Sequence, residues 1–210
     1  PLSQLGQLQQ CHPDRRLVLM ALSTADAVEM LQQMPLRPKA SVNWWHVVAD
    51  SFESSATAST WFVDPSLGSR SDRKALIGGL AKDLIQAVAV QATPLDDEEC
   101  LLPPDQRSRG VSGHHLVLPS LWQTLVVDEG WTPEQLWQVI SFGPSKLLGV
   151  KEEVLALGSN RWLLFDPEQP WTPSRSDPMS PCSANQPLLG IELKGQVMHC
   201  GLRIPESRLC

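Results

Sequence analysis

Short apolar runs alternate with helical segments across the first 90 residues, and this alternation constrains the fold more than any other feature. Leu17–Met20 is the first apolar run. "STADAVEMLQQ" follows, with Ser23 or Thr24 able to cap it and Val28, Leu31 and Met34 on one helical face. Pro35 and Pro38 end that helix. "KASVNWW" reads as a second strand and "STWFVDP" as a third, closed by Pro65. "SRSDRKALIGGLAKDL" reads as a helix with Ser71 at its N-cap, and "IQAVAV" as a fourth strand. Strand and helix at this spacing predict βαβ units and a parallel sheet.

Beyond the fourth strand the texture changes. Residues 94–113 carry Pro94, Pro103, Pro104 and Gly110 and predict a loop. "HHLVLPSLWQTLVVDEG" is helical, bent or interrupted at Pro119. "TPEQLWQVISFGPSKLLG" opens on Thr132 as N-cap and Pro133 in the first turn. From about residue 150, "VLALG", "RWLLFDP", "PWTP" and "IELKGQVMHCGLRI" predict short strands of a small antiparallel β domain, giving a division at 1–149 and 150–210.

The 210 residues are 42% hydrophobic, enough for one core, and the net charge of -6 argues against nucleic acid as the main partner. No apolar run approaches the ~18 residues of a membrane span, and no signal-peptide pattern is visible. Cys11, Cys100, Cys182, Cys200 and Cys210 are odd in number and scattered, which predicts reduced thiols and a cytoplasmic protein.

Local motifs point to no chemistry of their own. There is no H-x-H, no H-E-x-x-H and no Cys/His cluster at zinc spacing. His114 and His115 are adjacent, and on a helix they diverge by about 100°, so they are poorly placed to share a metal. His46, after Trp44-Trp45, reads as a packed or surface histidine, and Asp96–Glu99 as a solvated acidic face. No G-x-S-x-G elbow, Walker loop or dinucleotide fingerprint occurs, and Gly78-Gly79 lies inside a helix.

The ordered set of segments says more. "DPSLGSRSDRKALIGGLAKDLIQAVAVQATP" resembles the dihydroorotase stretch that runs from N-P-P-L-R through a helix to A-I-A-T-D-H-A-P. "GHHLVLPSLW" is similar to G-L-E-T-A-L-P-L-L, and "SFGPSKLLG" to S-x-N-P-A-K-I-L-G. "WLLFDPEQPWTP" resembles L-V-L-F-D-P, and "SANQPLLGIELKGQV" resembles S-x-N-T-P-F-x-G-x-x-L-x-G-x-V. Upstream, "LVLMALSTADAVEML" resembles H-x-x-H-V-S-T-A, and "ASVNWWHVV" resembles T-A-E-V-x-P-H-H-L. The order is kept from about residue 17 to 201.

This resemblance to dihydroorotases, within the amidohydrolases, implies the C-terminal half of a (β/α)8 barrel followed by a small antiparallel β domain. It implies hydrolysis of a cyclic amide at one or two zinc ions, with an aspartate at the last barrel strand moving the proton. The positions that carry that chemistry differ here. The metal histidine before V-S aligns with Ala21. The first histidine of P-H-H aligns with Trp45, and the second is retained as His46. The aspartate and histidine of D-H-A-P align with Gln91 and Ala92, and the asparagine of N-P-P with Asp64. The A-P-x-G segment corresponds to Ser108-Arg109-Gly110. The H-x-H strand and the lysine strand have no counterpart in these residues.

Alanine and tryptophan bind no zinc, and glutamine is a poor ligand that accepts no proton at neutral pH. The expectation is therefore a protein with no catalytic residue and no cofactor at Ala21, Trp45, His46, Asp64, Gln91 and Ala92. Catalytically dead members of the family are structural partners of aspartate carbamoyltransferase, so that enzyme, or a homo-oligomer, is the expected partner. The alternative is an active cyclic-amide hydrolase built on Asp64, His46 and His114 and completed by residues outside this chain. Four barrel strands would leave an open sheet edge, to be filled by an upstream half or another chain.

Overall fold

A computed structural model describes residues 2–52, 61–177 and 180–201. The N-terminal helix α1 (Leu2–Cys11) precedes a three-stranded parallel sheet, β1 (Val18–Leu22), β2 (Lys39–Asn43) and β3 (Ala87–Ala89), in that spatial order. β2 is central, and all of it but Lys39 is buried, as a strand covered on both faces must be. β1 and β3 form the two edges, and Met20 on β1 is 66% exposed.

The first crossover is α2 (Ala25–Gln33), and of the two candidate caps Thr24 holds the position, its hydroxyl accepting from the Ala27 N–H at 3.2 Å. Ala27, Val28 and Leu31 form its buried face. After β2 the chain turns at once into α3 (Trp44–Val48), so Trp44 and Trp45 open a helix instead of extending the strand. Their indoles need the space between sheet and helices, and both are buried there. The next crossover helix, α4 (Arg70–Ala81), is capped by Ser69 and not by Ser71. The reason is reciprocal capping: Asp72 accepts from the Ser69 N–H at 2.8 Å, and the Asp72 N–H donates to the Ser69 hydroxyl at 3.2 Å. Asp72 also accepts from the Ala25 N–H at 2.7 Å, which ties the starts of α4 and α2 together. These bonds, the one from the Ser69 side chain first, hold the Asp72 carboxyl below its ordinary value.

The expected third strand, "STWFVDP", is not one over its described residues, 61–65, while residues 59–60 lie outside those described. β2 pairs directly with β3, Ser41 opposite Ala87 and Asn43 opposite Ala89, so no strand can lie between them. Trp61 and Val63 instead pack on the core from an irregular segment, Trp61 edge-on to Trp44 at 5.6 Å.

The loop after β3 contains one turn of helix, α5 (Asp97–Cys100), with Asp96 and Glu99 as a reciprocal cap. The long helical segments follow. α6 (His114–Leu121) runs through Pro119 into a π-helical stretch, Trp122–Asp128. α7 (Pro133–Trp137) starts at Thr132 as expected and passes through a π-helical stretch, Gln138–Phe142, into α8 (Gly143–Leu148). Leu116, Leu121, Leu125 and Leu136 of these helices belong to the same core as the sheet.

The last part is a two-stranded antiparallel ribbon, β4 (Leu163–Trp171) and β5 (Leu193–Cys200). "RWLLFDP" and "PWTP" merge into β4 through an irregularity between Asp166 and Pro170, and "VLALG" forms no strand. The ribbon touches the helices where Trp122 meets Phe165 at 5.2 Å and His115 meets Trp171 at 5.7 Å.

Candidate functional site

The parallel register brings the C-terminal ends of β1, β2 and β3 to one edge of the sheet, Leu22 beside Val42 and Asn43 beside Ala89. This is the end at which α/β barrels place their chemistry. Ala21 stands here on β1 in the left-handed region, φ 57, where the pairing with β2 slips. At the β2 end, Asn43, Trp45 and His46 are all buried. Gln91 and Ala92 lie just past β3 and are exposed, and Asp64 is exposed on the segment that precedes α4.

His46 and the Asp64 segment are brought together. The His46 Nε2 lies 3.1 Å from the Pro65 carbonyl and 3.3 Å from that of Ser66. Carbonyls only accept, so Nε2 carries the proton, and the neutral ring has its lone pair on Nδ1. His46 thereby staples α3 to the segment ahead of α4. Its Nδ1, the Trp45 Nε1 and both side-chain atoms of Asn43 have no hydrogen-bond partner among the described residues. The β2 tip is thus apolar packing around underused polar atoms.

Zinc needs three or more of these donors converging. Of the six positions His46 and Asp64 offer zinc-type ligating atoms and Gln91 only a weak amide oxygen, and Asp64 and Gln91 are exposed. Trp45 fills the space beside His46, its ring 6.0 Å from the imidazole. No group of three His, Cys, Asp or Glu side chains that could hold a metal occurs among the described residues. The donor set does not fit a zinc centre. The other expected contributor, His114, is exposed at the start of α6, while its neighbour His115 turns inward against Trp171.

Burial pushes the His46 imidazole below its ordinary pKa of 6.5, against the two backbone bonds that raise it, and burial likewise lowers His115. A histidine with a depressed folded value takes up its proton more readily when unfolded. Stability is therefore whole above about pH 6.5 and falls as pH drops through the window below it. The urea midpoint should decline between about pH 7.5 and about pH 5.5. His46→Gln, which keeps a donor for the two carbonyls, should decline less, and the double variant with His115→Gln least of all. An unchanged slope in the double variant would show that neither ring is held neutral.

Sequence reasoning missed the stitching of the loop after β3. Asn185 accepts from the Leu95 N–H at 2.9 Å and donates to the carbonyls of Thr93 at 2.6 Å and Gly110 at 3.1 Å. The Gly110 N–H in turn donates to the Phe62 carbonyl at 2.7 Å. Gly110 has φ 144, and a Cβ there would strike the Thr93 side chain, so glycine alone fits. The same loop brings the Arg107 and Arg109 guanidinia to one ring, 4.3 and 4.9 Å from the Phe62 centroid. The sequence signals were the "RSRG" run and the asparagine of "SANQ", Asn185.

No protein-family model matches the chain. Over 190 residues it is 35% identical to a probable dihydroorotase-like protein of Synechocystis, covering 85% of this chain and 42% of that one. Over 184 residues it is 30% identical to the dihydroorotase of Chlorobaculum tepidum, covering 84% and 42%. Among solved structures, the L-hydantoinase of Arthrobacter aurescens superposes with a TM-score of 0.77 at 21% identity, over 93% of this chain and 45% of that one. The Saccharomyces cerevisiae dihydroorotase gives a TM-score of 0.75 at 15% identity, over 97% and 56%. These matches establish the fold as part of an amidohydrolase barrel. The chain belongs to the dihydroorotase-like proteins, and it spans about two fifths of the length of the curated relatives it matches.

Proposed function

We propose that this chain is a dihydroorotase-like protein that has lost zinc-dependent cyclic-amide hydrolysis. In this reading it acts in the cytoplasm as a structural or regulatory partner in pyrimidine biosynthesis, either as a homo-oligomer or bound to aspartate carbamoyltransferase. Its ribbon β4–β5 would be one part of a small β domain. The observation that carries the proposal is the buried Trp45, a tryptophan packed at the strand tip where a histidine ligand would stand. Ala21 and Gln91 at the two flanking tips add no metal ligand of their own. No helix among the described residues is long and apolar enough to cross a membrane.

The test is metal content by mass spectrometry, with dihydroorotate turnover measured on the same sample. The protein is purified with whatever coding sequence lies upstream of Pro1. Less than about a tenth of an equivalent of zinc, with no turnover, is expected, because hydrolysis of this class needs a metal-activated water. One or two tightly held equivalents, with turnover abolished by chelation, would overturn the proposal. Co-elution with aspartate carbamoyltransferase on a sizing column decides that partner separately.

A further inference from the structure

Ser120 and Thr124 stand one turn apart, on α6 and on the π-helical stretch that continues it, and are 8% and 7% exposed. A buried hydroxyl on a helix ordinarily bonds back to the carbonyl four residues earlier. Ser145 does so in this protein, 3.1 Å from the Ser141 carbonyl. Neither Ser120 nor Thr124 has a side-chain hydrogen bond among the described residues. Two neighbouring hydroxyls are thus taken out of water without a partner, which costs stability until one arrives.

Both residues line one pocket of ≈ 330 Å³. Buried Pro119 lines it with them, and Trp61, Leu188 and Leu193 are half-buried walls. Its charged side chains are exposed ones: Lys194, paired with Glu168 at 3.7 Å, and Glu192. Gln123, also exposed, donates to the Asp128 carboxylate at 2.8 Å. The buried part of the lining is therefore apolar except for the two free hydroxyls. A volume near 330 Å³ lies at the small end of ligand sites and holds one or two rings. The indole of Trp61 suits a flat aromatic partner. An ion buried against Pro119, Ser120 and Thr124 would find no counter-charge there, so the fitting molecule is uncharged.

We infer that this pocket binds an uncharged aromatic molecule of one or two rings carrying a hydroxyl or a ring N–H, which meets the Ser120–Thr124 pair. A serine hydroxyl moves between staggered positions about one bond, so it can turn to such a group. The site lies between α6 with its π-helical continuation and the segment that leads into β5. It stands whether or not hydrolysis has been lost, because it uses none of the six strand-tip and loop positions.

NMR titration of the full chain tests it, with phenol in one arm and toluene in the other. Phenol should shift the backbone amides of 120–124 and 188–194 and saturate, with a dissociation constant on the order of 1 mM. Thr124→Val, which keeps the shape, and Ser120→Ala should each weaken phenol about fivefold and leave toluene unchanged. A merely structural role would lower both probes together. Either variant decides the matter if the other does not fold. No saturable shift up to about 20 mM phenol, shifts confined to other segments, or equal losses for phenol and toluene overturns the site.

Discussion

Gly143→Ala is expected to lower the stability of this fold by about 3 kcal/mol or more, read as a fall in urea midpoint with an unchanged slope. Gly143 is buried at the first position of α8, in the "SFGPSKLLG" segment. A Cβ there would run into the backbone carbonyl of Gln86 and approach the Gln138 carbonyl to 2.7 Å. Neither atom is the tip of a flexible side chain. Gln86 is clamped besides, its N–H donating to the Ala40 carbonyl at 3.0 Å and its side chain accepting from the Ala40 N–H at 2.9 Å. The methyl group can therefore be seated only by moving α8 off the sheet. Gly78→Ala supplies the contrast. A Cβ at Gly78 meets nothing within 4 Å, inside α4. That change should raise stability by about 0.5–1 kcal/mol through helix propensity and a less disordered unfolded chain. If the two substitutions had equal effects, close approach of α8 to β3 would not be what Gly143 provides.

The sheet and its crossovers were legible because their cause is local. Leu19, Val42 and Val88 sit in apolar runs of strand length, and Thr24 and Thr132 are caps whose partners lie three residues on. What was misread depends on distant partners. Ser69 displaces Ser71 as a cap because Asp72 must reach back to it and at the same time to Ala25. "WFVD" has strand composition, yet β2 and β3 have already paired with each other, and its aromatic groups pack on Trp44 from a loop. Strand propensity is a preference for a half-buried pleated surface, and any core can satisfy it. At the candidate site, the residue types alone showed that Ala21, Trp45 and Gln91 supply no metal chemistry. The bond from His46 to the Pro65 carbonyl and the approach of Arg107 and Arg109 to the Phe62 ring join residues 19 to 47 positions apart, which no local pattern encodes.

Trp45→Ala should cost about 3–5 kcal/mol, the usual range for emptying a fully buried aromatic site. Trp45 is 2% exposed, and its ring stands edge-on to Trp44 at 6.3 Å and tilted against His46 at 6.0 Å. Its Nε1 has no hydrogen-bond partner among the described residues, so the indole contributes apolar volume and shape. Trp45→Phe should accordingly recover most of the loss. Trp45→His bears directly on function. It restores one ligand type at the strand tip, yet it is expected to bind no zinc, because Ala21 and Gln91 still add no donor beside it. It should also be as destabilising as Trp45→Ala or worse, since it places a polar ring in a cavity shaped for an indole. Under the proposed loss of hydrolysis, Trp45 cannot be exchanged singly for a ligand, because it is part of the core that β2 and α3 share. A Trp45→His protein of unchanged stability that held an equivalent of zinc would mean the reverse, a ligand pocket kept intact beneath a removable side chain.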